Sequence, residues 1–191
     1  GKKTLTSPLC GLAFEVSPFS IFQVQKPQAE LLYEKALAYA DLHGGETVID
    51  AYCGTGTISL CLAQKAGRVI GIEIVKEAIE DAKKNAAFNH IENAEFYAAD
   101  AGEFMPKLYQ EGLRPDVIVM DPVRAGCSET VLSAAAGMQP SRIVYVSCNV
   151  ATFARDAKIL AGLGYTVKEV TPVDMFPQTM HVETVALLTR N

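Results

Sequence analysis

Cys148 sits in Ser147-Cys-Asn149, where an apolar run ends and a helical pattern begins. The positive end of a helix favours a thiolate, so a thiol at that junction has a reason to be partly ionised. A free cysteine is otherwise a small buried hydrophobe, and the shared rim with Asp121 is what tips the reading towards chemistry. Asp121-Pro-Val-Arg-Ala-Gly126 follows the preceding apolar run. The proline stiffens the loop behind the carboxylate, although the same acid could instead cap the next helix. The third group is Glu183 in His181-Val-Glu183, at the start of the last apolar run. Residues i and i+2 of a strand share a face, so His181 and Glu183 point the same way. Burial there would raise the pKa of Glu183 and suit it to proton transfer, whereas a solvated edge carboxylate would stay ordinary. A thiol that adds to carbon and an acid that takes a proton describe covalent nucleophilic catalysis.

A second constellation addresses a cofactor. Val48-Ile-Asp-Ala-Tyr-Cys-Gly-Thr-Gly-Thr57 reads as a buried strand entering a glycine turn. Gly54 and Gly56 carry no Cβ to keep a ligand away from the backbone. The turn lacks the Gly-x-Gly-x-x-Gly spacing of dinucleotide sites, which fits a ligand without a pyrophosphate. About 20 residues on, Arg68-Val-Ile-Gly-Ile-Glu73 ends in an acid placed to face a ribose. S-adenosylmethionine is the leading candidate. Asp50 would hold the turn or approach the methionyl ammonium, and Tyr52 would be wall or ligand contact. Cys53 and Cys61 read as packing residues.

These groups need a scaffold. Apolar segments near 47–51, 68–73, 94–98, 116–120 and 142–147 alternate with helical patterns near 57–65, 76–89, 101–110, 128–137 and 150–162. That alternation predicts an α/β doubly wound fold. Val117-Ile-Val-Met120 and Ile143-Val-Tyr-Val146 are apolar on every side, as strands covered on both faces must be. Two last strands, near 165–173 and 182–189, are linked by Asp174–Met180, too short for a crossover helix, so they pair antiparallel. A helix from about Pro27 to Asp41 precedes the alternation, with Leu31, Leu32, Ala36 and Leu37 at helical spacing and Gly44-Gly45 ending it. Residues 1–25 read as a hairpin and connecting segment, and 26–191 as the main domain.

Composition narrows the class. The 191 residues are 49% hydrophobic and 20% charged, enough for a full core. No apolar run is long enough to span a bilayer, and the start carries no signal-peptide core. Five cysteines without a Cys-x-x-Cys pair argue against a disulfide framework and for a reducing, cytoplasmic compartment. Three scattered histidines offer no metal spacing. A net charge of −5 weighs against autonomous nucleic-acid binding, though not against a catalytic domain that borrows affinity from a neighbouring module.

Taken in order, Phe22-Gln-Val-Gln25, Asp50-Ala-Tyr-Cys-Gly-Thr-Gly56, Gly71-Ile-Glu73, Asp121-Pro-Val-Arg-Ala-Gly-Cys127, Ser147-Cys-Asn149 and His181-Val-Glu183 resemble the RNA (uracil-C5)-methyltransferases of the TrmA/RumA family. Within it the likeness is to the RumA and RlmCD kind, which methylate 23S ribosomal RNA. The resemblance implies a Rossmann-like S-adenosylmethionine-dependent methyltransferase fold: a mainly parallel seven-stranded sheet with an antiparallel last strand and helices on both faces. It places Gln23, Tyr52, Glu73 and Asp121 at cofactor-contacting positions, Cys148 at the nucleophile and Glu183 at the general base. Arg124 and Asn149 fall where the substrate would be touched, and Phe19 or Phe176 could stack on a base. Two positions depart from the family: Val123 replaces the second proline of Asp-Pro-Pro-Arg, and Gln25 replaces an asparagine. The family also carries an N-terminal β-barrel that binds RNA, so this chain reads as the catalytic part of a longer protein. Some members hold an iron–sulfur cluster through N-terminal cysteines, a motif not present here. Transfer RNA uridine is an alternative substrate. Methylation of an exocyclic amine or a small molecule is another, disfavoured by Arg124 where such enzymes carry an aromatic residue. A non-catalytic RNA-binding module is the third.

Overall fold

The structure, a computed structural model, describes residues 9–14, 26–174 and 182–191, and the side chains of all of these except 26–28 and 174. Phe19, Gln23, Gln25, Phe176 and His181 therefore lie outside the described residues, as does most of the hairpin and connecting segment expected over 1–25. Within that segment Leu9 and Leu12 exchange backbone hydrogen bonds of 3.1 and 2.8 Å across a Cys10-Gly11 turn.

Helix α1 (Lys26–Ala40) leads into five strand–helix units. They are β1 (Thr47–Asp50) with α2 (Thr57–Ala63), β2 (Arg68–Glu73) with α3 (Lys76–Phe88), and β3 (Ala94–Ala98) with α4 (Ala101–Gln110). Then come β4 (Val117–Met120) with α5 (Glu129–Gly137), and β5 (Arg142–Ser147) with α6 (Val150–Gly162). β6 (Tyr165–Asp174) and β7 (Val182–Arg190) close the chain.

The strands form one seven-stranded sheet in the order β3-β2-β1-β4-β5-β7-β6. β1 to β5 are parallel, and β7 runs antiparallel to both β5 and β6, as the short link between the last two strands predicts. The order reverses between β1 and β4. Right-handed crossovers on either side of that point must wind in opposite senses, which puts their helices on opposite faces. Accordingly Val48, Val69, Val119 and Val144 pack beneath α1, α2 and α3, while Ile49, Ile70, Ile118 and Ile143 pack beneath α4, α5 and α6. All eight are fully buried, each worth about 1.5–3 kcal/mol of transfer free energy. The crevice beyond the carboxyl ends of β1 and β4 is where a doubly wound sheet holds its ligand.

Two local expectations need correction. Leu31 is exposed on α1, and Ala29, Leu32, Ala36, Tyr39 and Ala40 form its buried face instead. The stripe is set by where the sheet lies, and four leucine or alanine positions leave its direction open by a residue. Nor does Gly44-Gly45 end the helix. Asp41 takes the left-handed conformation (φ 51°) and donates its N–H to Leu37 at 3.2 Å. The following turn is then closed by Glu46, whose carboxylate accepts from the N–H groups of His43, Gly44 and Gly45.

Gly71 in β2 shows how tightly the first crossover is packed. A Cβ there would stand 2.6 Å from Phe96 Cδ1 and 3.0 Å from Cys53 Sγ. Gly71→Ala is expected to destabilise the fold by about 1–3 kcal/mol, measured by urea denaturation. Unchanged stability would mean that the Phe96 ring swings aside without cost.

Candidate active site

The turn after β1 is held from three sides. Ala51 N–H donates to Val119 O at 2.9 Å, Cys53 N–H to Ile72 O at 3.0 Å, and Gly56 N–H to Cys53 O at 2.9 Å. Gly54 and Gly56 have φ values of 53° and 84°, in the region that favours glycine. Their bare Cα atoms do different work. Nothing lies within 4 Å of a Cβ built at Gly54, so its backbone is open to a ligand. A Cβ at Gly56 would meet Ala82 at 3.0 Å and Phe96 at 3.1 Å, so the bare Cα here also makes room for α3 and β3.

Asp50, the last residue of β1, is 1% exposed. Its Oδ2 accepts from the Ser59 hydroxyl at 2.7 Å, while Oδ1 is buried with no hydrogen-bond partner. Burial lifts its pKa to about 6, with the Ser59 hydroxyl opposing and the Glu73 charge adding to the rise. A buried carboxylate oxygen without a donor is a costly vacancy for a hydrogen bond, and an ammonium group would fill it. Glu73 ends β2 on the same edge and folds back to accept from Ile74 N–H at 2.6 Å. Tyr52 is half-buried against the other face, where burial and then the charge of Cys127 raise its pKa. It is wall on that side.

The second constellation converges by register. Ser147 of β5 pairs with Thr184 of β7. One residue further along both chains come Cys148 and Glu183. Opposed antiparallel residues carry their side chains on one face with Cβ atoms about 4.5–5.5 Å apart. The alternation along β5 and β7 directs both towards the face of α1. Asp121, directly after β4, belongs to the same group. Its pKa is pushed up to about 8, first by burial and then by the charges of Asp50 and Glu183. Glu183 is half-buried, and burial raises its pKa too.

Cys148 is half-buried at the rim. The expectation of a partly ionised thiol fails: burial, then the Glu183 carboxylate, then Asp121 push its pKa up, and only its own backbone and Arg124 pull it down. Burial and the two carboxylates act in the same direction on the thiol. Three of the other cysteines, Cys53, Cys61 and Cys127, are buried and poorer nucleophiles. Burial pushes Cys127 up to about 12 and raises Cys53 further. Cys61 is buried, its pKa raised by its hydrogen bond with the Cys10 thiol, which lowers that of Cys10 in turn.

The loop after β4 does not use Asp121 as a helix cap. Ser128 caps α5, accepting from Val131 N–H at 3.2 Å. Val123 is 73% exposed, and the residues after it are tied down: Thr152 donates to Arg124 O at 3.1 Å and Arg155 to Ala125 O at 2.8 Å. Asn149 caps α6 through Oδ1, which accepts from Ala151 and Thr152, and so spends one of its polar atoms on the scaffold. Arg124 is exposed beside the thiol.

Two residues escape sequence reasoning. Tyr33 of α1 leans over the acids: burial, then the charge of Asp121, raise its pKa, with Asp50 adding. Its signal was a polar-tipped aromatic on the stripe between Leu32 and Ala36. Asp156 is fully buried on α6 between Phe153 and Leu160. An acid at i+3 of an apolar stripe was its signal. Among the described residues no cluster of three His, Cys, Asp or Glu could hold a metal ion, and no helix is long and apolar enough to cross a membrane.

Against this geometry the likenesses can be read. Residues 26–191 match the family described as tRNA (uracil-5-)-methyltransferase. The chain is 56% identical over 179 residues to an uncharacterized RNA methyltransferase of Bacillus cereus, covering 94% of this chain and 39% of that protein. It is 53% identical over 190 residues to another from Caldanaerobacter subterraneus, covering 100% of this chain and 42% of the relative. It therefore spans about two fifths of the length of the curated relatives it matches. The solved structure of Pyrococcus abyssi tRNA (uracil-54, C5)-methyltransferase with S-adenosyl-L-homocysteine superposes with a TM-score of 0.78 at 34% identity, over 93% of this chain and 42% of that one. Precorrin-6y C5,15-methyltransferase of Geobacter metallireducens, at 16% identity and a TM-score of 0.72 over 90% of this chain and 93% of that one, shares the fold.

Proposed function

This chain belongs to the tRNA (uracil-5-)-methyltransferase family, whose members depend on S-adenosylmethionine, and on that premise we propose that it methylates C5 of uridine in 23S ribosomal RNA through a covalent cysteine adduct. Supporting the reading are the register that ends with Ser147 opposite Thr184, one residue short of Cys148 and Glu183, and the charges of Glu183 and Asp121 that reach the Cys148 thiol.

The cofactor fits the first constellation. Asp50 Oδ1 lacks a donor, Gly54 leaves the backbone open, and Glu73 stands at the end of β2 for a ribose. Tyr52 and Asp121 wall the same crevice, and Gln23 belongs to this set by its motif. S-adenosylmethionine supplies an electrophilic methyl group on a sulfonium cation.

The protein groups do the rest. Cys148, as thiolate, bonds to C6 of the uracil. The C5–C6 π electrons shift towards the O4 carbonyl, which makes C5 nucleophilic enough to take the methyl group, whose bond to the sulfonium sulfur would break to leave a neutral thioether. Arg124 lies where it can steady negative charge on the ring or a phosphate. Glu183 then takes the proton from C5, the electrons re-form the C5–C6 double bond, and the C6–sulfur bond breaks to return the thiolate. The base has to be splayed from its stack to enter. In this reading RNA affinity comes from an N-terminal RNA-binding module of the full protein, acting in the cytoplasm, and the net charge of −5 on this chain supports that division.

The acids make cofactor binding pH-dependent. A carboxylate whose pKa is raised on folding gives its stability at low pH and loses it as pH rises, here from 3.8 through about 6 for Asp50. A cation placed against Asp50 needs it ionised, so S-adenosylmethionine affinity is expected to rise by about tenfold from pH 5 to pH 7, most of it below pH 6, and then level off. Isothermal calorimetry on wild type and Asp50→Asn checks this. An equally steep profile in the variant would place the titrating group elsewhere.

Mapping 5-methyluridine in 23S RNA and in transfer RNA, from cells with and without the gene, tests the substrate. Loss of a 23S site supports the proposal. A second reading, transfer RNA uridine, is favoured by the likeness to the Pyrococcus abyssi enzyme, and loss confined to transfer RNA would establish it.

A further inference from the structure

Asp156 is an expensive residue that the reaction as written does not use. It is 0% exposed, on the apolar face of α6. Its Oδ2 accepts from Tyr145 Oη at 2.5 Å and from Cys127 N–H at 2.8 Å, and its Oδ1 accepts from Arg155 Nε at 3.0 Å. Burying a charge with its partner is a weak source of stability, because desolvation offsets most of the attraction, and apolar residues often fill such a place as well. Its partners point to another use. Thr152, Arg155 and Asp156 share one helical face. From it Thr152 donates to Arg124 O at 3.1 Å, Arg155 donates to Ala125 O at 2.8 Å, and Asp156 receives Cys127 N–H. Gly126 threads between them with φ 78°, and a Cβ there would stand 2.7 Å from both Asp156 Oδ2 and Arg155 Nη2. So the β4–α5 loop hangs from the first turns of α6. Asp121 lies three residues before Arg124, and Cys148 four residues before Thr152.

We propose that Asp156 is a positioning residue: with Thr152 and Arg155 it suspends the β4–α5 loop from α6, so that Asp121 and Cys148 keep one fixed spacing during catalysis. The idea rests on the role given to Cys148 above. Among the described residues, the charged groups that act on that thiol are Glu183 from β7, and Asp121 and Arg124 from the loop. Loosening the clamp moves the two loop groups and leaves Glu183 in place.

The test uses the full-length protein, with Asp156→Asn, Thr152→Val and Thr152→Ser. Iodoacetamide labelling of the Cys148 peptide, followed by mass spectrometry across pH, reads the thiol's surroundings without any substrate. Asp156→Asn and Thr152→Val are expected to move the labelling midpoint down by about half a pH unit, since Asp121 is no longer held against the sulfur. They lower kcat and, because Asp121 also walls the cofactor crevice, raise KM for the cofactor, and Thr152→Ser restores both. Thr152 is partly exposed and carries the test if Asp156→Asn does not fold. Midpoints that coincide with wild type in a folded variant overturn the proposal. Shifted midpoints in a protein that methylates no uridine would uphold the clamp and remove the proposed function instead.

Discussion

Under the proposed mechanism Cys148→Ala in the full-length protein is expected to abolish methyl transfer to uridine, a loss of at least about 10⁴-fold in kcat. The adduct with 5-fluorouridine RNA disappears with it, and S-adenosylmethionine affinity stays as in wild type. The size follows from the chemistry, since uracil C5 becomes nucleophilic only once sulfur has added at C6. It also follows from the lack of a substitute among the described cysteines. Cys53, Cys61 and Cys127 are buried with raised pKa values, and Cys10 lies against Cys61 of α2. Filter binding with labelled cofactor and a denaturing gel of the fluorinated RNA check both halves. Methyl transfer to C5 surviving in the variant would end the covalent mechanism.

Glu183→Gln gives the second large effect and a different signature. Turnover is expected to fall by about 10²–10⁴-fold, the range for loss of a general base. Addition and methyl transfer do not need that base, so the methylated covalent complex accumulates on ordinary uridine RNA. The substitution also removes the carboxylate charge that opposes ionisation of Cys148, so the adduct forms no more slowly than in wild type. Release of free product at the wild-type rate would move the proton acceptor to another group, with Asp121 next in line.

How much of this was legible beforehand depended on the range of the interactions. β4 and β5 announced themselves, because strands buried on both faces must be apolar at every position, and Val117–Met120 is fully buried as read. The antiparallel last pair followed from a link too short to cross over. The stripe of α1 was misjudged by a residue, since only the sheet beneath decides that Leu31 faces out and Tyr33 faces the acids. The two glycines of the turn looked alike in sequence. Their neighbours differ: open space at Gly54, α3 and β3 at Gly56.

Sequence alone determined the order of strands and helices, the turn after β1 and the inventory of reactive groups, because periodicity, glycine conformation and side-chain chemistry are carried within a few residues. Tertiary structure decided what those groups meet. Cys148 and Glu183, far apart in the chain, are brought near each other by the Ser147–Thr184 pairing next to them, and ionisation of the thiol is then opposed first by burial and next by the Glu183 and Asp121 carboxylates from two other segments. Electrostatic interaction sums over neighbours in space, and hydrogen-bond register chooses those neighbours; neither is written in any local stretch of the sequence.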